Sequence, residues 1–239
     1  MDAEEQMKVI AFSLWGNNPK YLVGAIKNAE LARQIFPDWI CVFYIGASVS
    51  IEVAEALLAV GNTCLYTMDE PEDWRGMFWR FKAASISNVD VMISRDCDSR
   101  LSLREKAAVD EWLASDKQWH IMRDHPWHGS LMLGGMWGVK GHPQMKDWIS
   151  SWKAEDRYQT DQDFLQQMVY PTARHDVMIH ASFCAIEPDS IPFPTRRDGL
   201  EFVGQVFDEN DITVSEHQDM LRKAMRGQGE IVRTPDFLK

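Results

Sequence analysis

Apolar residues in the first hundred positions fall in short runs separated by amphipathic stretches. Positions 8–14 (KVIAFSL) form one such run and read as a strand. Gly16-Asn17-Asn18-Pro19 then breaks the chain. The spacing over 21–36 predicts a helix, which Pro37 ends. Strands follow at 40–45 and 63–67, with a helix over 51–60 between them and a turn at Gly61-Asn62. Positions 74–85 predict a helix and 89–94 (VDVMIS) a fourth strand.

The second half is less regular. Ser102 reads as the N-cap of a helix over 103–114, with Glu105 at the capping-box position. A fifth strand is expected at 119–123, then a glycine-rich segment at 129–141. Helices are expected at 143–152 and 161–169, a short strand at 177–180, a Pro-rich surface path over 186–210 and a last helix at 216–226. The rhythm of strand and helix implies an α/β fold: a mixed, mainly parallel sheet flanked by helices. Right-handed crossovers line up the loops after the strands on one edge, where such sheets bind ligands. The loops following Leu14, Thr67 and Ser94 are therefore the ones to watch. The simplest organisation is one α/β domain over 1–210 with a helical extension over 211–239.

Composition narrows the function. A net charge of −11 argues against a nucleic-acid binder and against adsorption to anionic lipid. It leaves room for a nucleotide, because a few arginines and a bound cation can supply local positive charge. No stretch has the apolar length of a membrane span. The acidic first six residues lack the order of a signal peptide, so a cytoplasmic protein is expected. The four cysteines show no CxxC spacing and read as free thiols. Most of the ten tryptophans are expected in the core, with some free to line a sugar or base site.

The most informative chemistry is Asp96-Cys97-Asp98, directly after the fourth strand. Two carboxylates at such a bend can meet at one hard cation, Mn²⁺ or Mg²⁺, which keeps positions open for phosphate oxygens and water. The tripeptide alone reads sooner as a solvated turn; its place after the fourth strand gives the metal reading its weight. Arg95 and Arg100 flank it and either clamp phosphate or pair with the carboxylates.

With Phe12-Ser13-Leu14-Trp15-Gly16, Phe78-Trp79-Arg80-Phe81, Met122-Arg123-Asp124-His125-Pro126, Gly134-Gly135-Met136-Trp137-Gly138, Thr160-Asp161-Gln162-Asp163 and Phe193-Pro194-Thr195-Arg196-Arg197 in order around that motif, the sequence resembles the GT-A class of nucleotide-sugar glycosyltransferases. The likeness spans roughly residues 8–205 and is strongest to a small group of viral and bacterial GT-A domains. It implies a Rossmann-like GT-A sheet, a nucleotide-sugar donor, UDP-linked by family expectation, and a glycan or other hydroxyl acceptor. It implies that Asp96 and Asp98 hold Mn²⁺ or Mg²⁺ on the donor diphosphate, with His180 as a further metal ligand. Phe12, Ser13 and Leu14 would lie against base and ribose. Arg80 would reach ribose or phosphate, with Arg95 beside it. Gly134 and Gly135 would run under the donor sugar, next to Trp137. Asp161 would face the reacting centre and is the first choice for a base if the reaction inverts, Asp124 the second.

Two other classes stay open on the residues alone. One is a metal-dependent phosphohydrolase or nucleotidyltransferase, which also needs paired carboxylates at a strand end. The other is a binding module for nucleotide-sugar or glycan that keeps the fold without turnover.

Overall fold

The structure, a computed structural model, describes residues 7–142 and 144–232. Seven strands form one sheet in the order β3-β2-β1-β4-β6-β5-β7. They are β1 (Met7–Leu14), β2 (Ile40–Ile45), β3 (Thr63–Thr67), β4 (Val89–Ser94), β5 (Trp119–Arg123), β6 (Trp137–Lys140) and β7 (Val177–Ala181). The first four are mutually parallel. β6 enters antiparallel between β4 and β5, which restores β5 and β7 to the direction of β4. The sheet is thus mixed and mainly parallel, as the alternation of elements implied.

Strand order reverses between β1 and β4: the chain runs outward from β1 to β3, then returns to pair on the other side of β1. The carboxyl ends of β1 and β4 therefore lie side by side with their following loops splayed apart, which is where an open α/β sheet leaves a crevice. Both faces of the sheet are covered. One carries α1 (Pro19–Ile35), α2 (Ile51–Val60) and α3 (Leu103–Ala114), packed through Ala25, Ala29, Ala32, Leu57, Val109 and Trp112 on Ile10, Phe12, Phe43 and Ile93. The other carries residues Trp74–Ser85 and the later helices α4 (Met145–Ser151) and α5 (Thr160–Phe164), with Trp79, Phe81, Trp119, Trp137 and Phe164 in a second core. These positions alternate along each strand, so every central strand is buried on both sides.

The element boundaries expected for β2, α2, β3, β4, α3 and β5 hold, and Ser102 caps α3 by accepting from the Glu105 amide at 3.2 Å. Several expectations change. Residues Trp74–Ser85 wind as 3-10 turns rather than as an α-helix, and the Arg80 amide inside that run bonds to Ser13 Oγ of β1 at 3.0 Å. Part of the glycine-rich segment is a strand, β6, whose four residues and internal Gly138 hid it. The helix expected over 161–169 runs on as α5, a π turn (Leu165–Val169) and α6 (Tyr170–Ala173). Pro171 lacks the amide that would continue an α ladder. The helix expected from 143 begins at Met145; residue 143 itself, like 1–6 and 233–239, lies outside the described residues.

The Pro-rich path over 186–210 does more than skirt the surface. Phe193 and Val203 pack with Ala108, Met122 and Met136 in a third, small core. The Phe207 amide then bonds the Asp98 carbonyl at 2.8 Å. The last helix, α7 (Ser215–Gly227), buries Leu221, and Asp211 ahead of it pairs with Lys27 of α1 and with Arg100. The described part of the extension thus builds against the sheet edge. Among the described residues, no helix is long and apolar enough to cross a membrane.

Candidate active site

At the carboxyl ends of β1 and β4 opens a cavity of about 940 Å³. Its lining draws on the end of β1 and the loop after it (Ser13 to Asn18), the first turn of α1 (Lys20, Tyr21), Arg80, Asp96 to Asp98, Gly134-Gly135, the α5 region (Tyr158, Gln159, Asp161, Gln162) and, from the far end of the chain, Val206 and His217.

The Asp96-Cys97-Asp98 turn is held from below. Asn28, buried in α1, donates to the carbonyls of Cys97 and Ser99 at 3.3 and 2.8 Å, and its Oδ1 accepts from the Leu101 amide at 3.0 Å. Gly24, one turn earlier, brings the helix so close that a Cβ would strike the Cys97 carbonyl. These contacts fix the turn and leave the two carboxylates at the cavity. Asp98 meets Lys20 Nζ at 2.7 Å and Asp96 meets Arg80. Burial raises the Asp98 carboxyl above its ordinary value, the neighbouring Asp96 charge adds to that, and Lys20 opposes it.

Arg80 is the hub. Its guanidinium is buried, donates to the Arg95 carbonyl at 3.0 Å, and joins Asp96 to Asp161, the latter at 3.1 Å. Among the described residues, its Nε has no hydrogen-bond partner. Asp161 stands at the start of α5, and burial raises its carboxyl, with Arg80 opposing and Asp96 adding. Gly134 and Gly135 run against these groups: a Cβ on Gly134 would collide with the Asp161 carboxylate, and one on Gly135 with that of Asp96. The glycines thus make room for the site's own side chains, where the sequence suggested close approach to a sugar.

Among the described residues, five aspartates line the cavity (Asp73, Asp96, Asp98, Asp156, Asp161) against Lys20 and Arg80 as the permanently cationic lining groups. An anionic ligand entering such a space is repelled unless a cation comes with it. The residues therefore fit a divalent ion bound through Asp96 and Asp98. Among the described residues, no group of three or more His, Cys, Asp or Glu side chains forms a ready-made metal cage. Remaining ligands would be phosphate oxygens and water, the usual state of a Mg²⁺-type site.

Of the other residues singled out in the sequence, Ser13 and Leu14 line the cavity, and five do not. Phe12 points into the core and stacks on Phe43 with ring centroids 4.7 Å apart, because the side chains of β1 alternate faces. Trp137 is wholly buried against Phe81 and Trp119. Arg95 turns inward, where it pairs with Glu105 and donates to the carbonyls of Ser94 and Trp137 at 2.6 and 3.1 Å. Asp124 is fully buried and saturated: Arg104, Arg197, Ser182 Oγ and the Val203 amide all bond to it at 2.6 to 2.9 Å. Burial would raise its carboxyl, but the two arginines and Ser182 outweigh that and hold it below its ordinary value. A shielded, acid-shifted carboxylate is no general base. His180 sits in the sheet with its ring nitrogens on His120 (2.8 Å) and Glu111 (3.0 Å), away from the cavity lining.

Sequence reasoning missed Lys20, Tyr21, His128 and His217. The first two had a signal: Asn18 accepts from the Lys20 amide at 3.1 Å as N-cap, with Pro19 at the first helical position. That pair of residues marks a helix start two residues ahead of the one expected and puts Lys20 in its first turn. His217 reaches the cavity only through the irregular path of 182–214, which no local pattern encodes.

No family model and no curated protein matches the sequence. Among solved structures, the chain is similar in fold to glycosyltransferases and to nucleotidyltransferases. One is the galactosyltransferase LgtC in complex with donor and acceptor sugar analogues (18% identity, 73% of each chain, TM-score 0.45). Another is glucosyl-3-phosphoglycerate synthase from Mycobacterium tuberculosis with Mn²⁺, UDP and phosphoglyceric acid (12% identity, 72% of this chain and 68% of that one, TM-score 0.46). A third is 4-diphosphocytidyl-2C-methyl-D-erythritol synthase from Anaerococcus prevotii (8% identity, 94% of this chain and all of that one, TM-score 0.49).

Proposed function

We propose that the chain is a glycosyltransferase that moves a sugar from a nucleoside-diphosphate sugar, UDP-linked in the first instance, to an acceptor hydroxyl. The observation that carries this is the charge pattern of the cavity. An excess of carboxylates is gathered at the strand-order reversal, with Asp96 and Asp98 paired at one point and a buried arginine beside them. A diphosphate fits that place only together with a divalent cation. Bound through Asp96 and Asp98, Mn²⁺ or Mg²⁺ would supply positive charge to the departing diphosphate.

The chain's own residues do the rest. Lys20 and Arg80 add fixed positive charge near the phosphates, and Arg80 also sets the distance between Asp96 and Asp161. The loop after β1, from Ser13 to Asn18, cradles the nucleoside. In transfer, the acceptor oxygen forms a bond to the anomeric carbon as the bond from that carbon to the diphosphate oxygen breaks, and the electron pair leaves on the nucleotide. The acceptor proton passes to Asp161 if the centre inverts; a carboxyl raised by burial suits that task. The cytoplasm is the compartment in which we place this reaction.

The test is turnover of a panel of UDP-, GDP- and dTDP-sugars with Mn²⁺, following release of the nucleoside diphosphate. Release, slow with water and faster with an acceptor, supports the reading. Pyrophosphate release from a nucleoside triphosphate and a sugar phosphate, without diphosphate release from any sugar nucleotide, would replace it with nucleotidyl transfer.

A further inference from the structure

Aromatic side chains are expensive to leave in water, yet the mouth of this cavity displays them. Trp74 is 43% exposed and Tyr158 65% exposed, and both line the cavity. Their rings meet nearly at right angles (73°) with centroids 5.3 Å apart, forming a corner with one ring as floor and the other as wall. Tyr21 of α1, also partly exposed, belongs to the same lining.

The corner is built, not incidental. Trp74 opens the 3-10 run, where its amide donates to Asp156 Oδ1 at 3.1 Å and Asp73 caps the run through the Arg75 amide at 2.9 Å. Tyr158 lies in the loop before α5, which Gln159 enters in the left-handed region (φ 64°) and Thr160 Oγ1 braces by accepting from the Glu155 amide at 3.2 Å. Asp156 thus ties the Tyr158 loop to Trp74.

The charge around the corner selects its ligand. Its polar neighbours on the lining are Asp73, Asp156 and Gln159. The nearby arginines are consumed: Arg75 by Asp73 at 2.9 Å, Arg157 by Glu155 at 2.8 Å and by Asp163. An anion finds no partner there. A neutral ring with an apolar C–H face and hydroxyls on its edge does, stacking on the aromatic while the Asp156 carboxylate and the Gln159 amide take the hydroxyls. The cavity also has room: about 940 Å³ is at the upper end of what single small-ligand sites occupy, roughly 300–1,000 Å³.

We propose that Trp74 and Tyr158 form the acceptor subsite and hold a neutral pyranoside ring, so that the acceptor is a glycan and not a phosphorylated or anionic molecule. This rests on the transferase reading for the word acceptor, but the subsite can be tested apart from it. Wild type, Trp74→Ala, Trp74→Phe and the Trp74→Ala/Tyr158→Ala double variant would each be titrated with UDP and Mn²⁺. Each would then be examined by saturation-transfer NMR with a panel of methyl glycosides in the presence of both. Both side chains are exposed, so the variants keep the fold, which a thermal melt checks. The expected result is contact to the C–H face of at least one glycoside in wild type, weakened roughly tenfold in Trp74→Ala, largely kept in Trp74→Phe and absent in the double variant, with UDP binding unchanged throughout.

Loss of UDP binding in Trp74→Ala would overturn the assignment and give the ring to the nucleobase. UDP binding in wild type with no glycoside contact would overturn it as well. If wild type binds glycosides at the corner but no nucleotide, the sugar subsite stands and the transferase reading falls. If it binds neither, both fall.

Discussion

Two clusters of charge stand at the same edge of the sheet, one after β4 and one after β5, and they differ in balance. After β5, Asp124 and Glu230 face Arg104 and Arg197, two charges against two, with Asp124 and Arg197 almost wholly shielded. Around the open cavity after β4, Asp73 is paired with Arg75, and Asp96, Asp98, Asp156 and Asp161 face Lys20 and Arg80. The first cluster has been completed by the protein itself and pins residues 195–203 and Glu230 to the sheet. The second stays open to the cavity, its carboxylates outnumbering Lys20 and Arg80 among the described lining residues. The carboxyls report this: Asp124 is pulled below its ordinary value, Asp98 and Asp161 are pushed above it. A carboxylate after a strand is therefore not by itself a functional mark; the presence or absence of the chain's own counter-charge decides.

The largest expected effects separate the two clusters by readout. Asp96→Ala/Asp98→Ala should cut sugar transfer by about 10²-fold or more, with little change in the denaturant midpoint. Equal activity in the double variant and wild type would merge the two clusters into one structural class. Asp124→Asn should do the reverse. Leaving Arg104 and Arg197 short of a buried partner costs about 3–5 kcal/mol in chemical unfolding, and any loss of activity should follow the folded fraction.

Gly135→Ala sharpens the contrast, because it moves Asp96 without removing any charge. A misplacement of that kind costs roughly 10²-fold in turnover while stability drops little, since a flexible carboxylate can yield. Normal turnover would show that the position of Asp96 does not matter.

The last effect is on acid stability. Burial depresses the His128 imidazole from 6.5 to about 3, with the neighbouring His125 adding. The unfolded chain then binds a proton that the folded one refuses, so stability falls as pH drops from about 6.5 towards 3. Asp124 acts lower: its depressed carboxyl stabilises above about 3.8, and that contribution disappears as pH falls further through the folded value. His128→Gln should flatten the upper window and Asp124→Asn the lower, measured by urea unfolding from pH 7 to 3. Identical slopes in wild type and His128→Gln would contradict a neutral imidazole in the folded chain.

Much of this architecture was legible in the order of residues. Apolar runs bounded by Gly, Asn and Pro placed β1 to β5, and Asp96 and Asp98, expected at the bend after β4, do line the cavity. What failed did so for definable reasons. Phe12 and Trp137 lie next to cavity residues in sequence, but alternation along a strand turns neighbours to opposite faces, and Arg95 is drawn inward by Glu105, ten residues on. Asp124 could not be told from Asp161 locally, because the arginines that neutralise it come from positions 104 and 197. His217 and the third small core depend on a long irregular path with no period to read.

The central claim is that the cavity after β4 awaits a cation and a diphosphate together. Calorimetric titration with UDP, with and without Mn²⁺, on wild type and on Asp96→Ala/Asp98→Ala tests it most directly. Binding by wild type that requires Mn²⁺ and disappears in the double variant is the expected result. UDP binding of equal strength in all four titrations, or none with UDP, GDP and dTDP on folded wild-type protein, would contradict it.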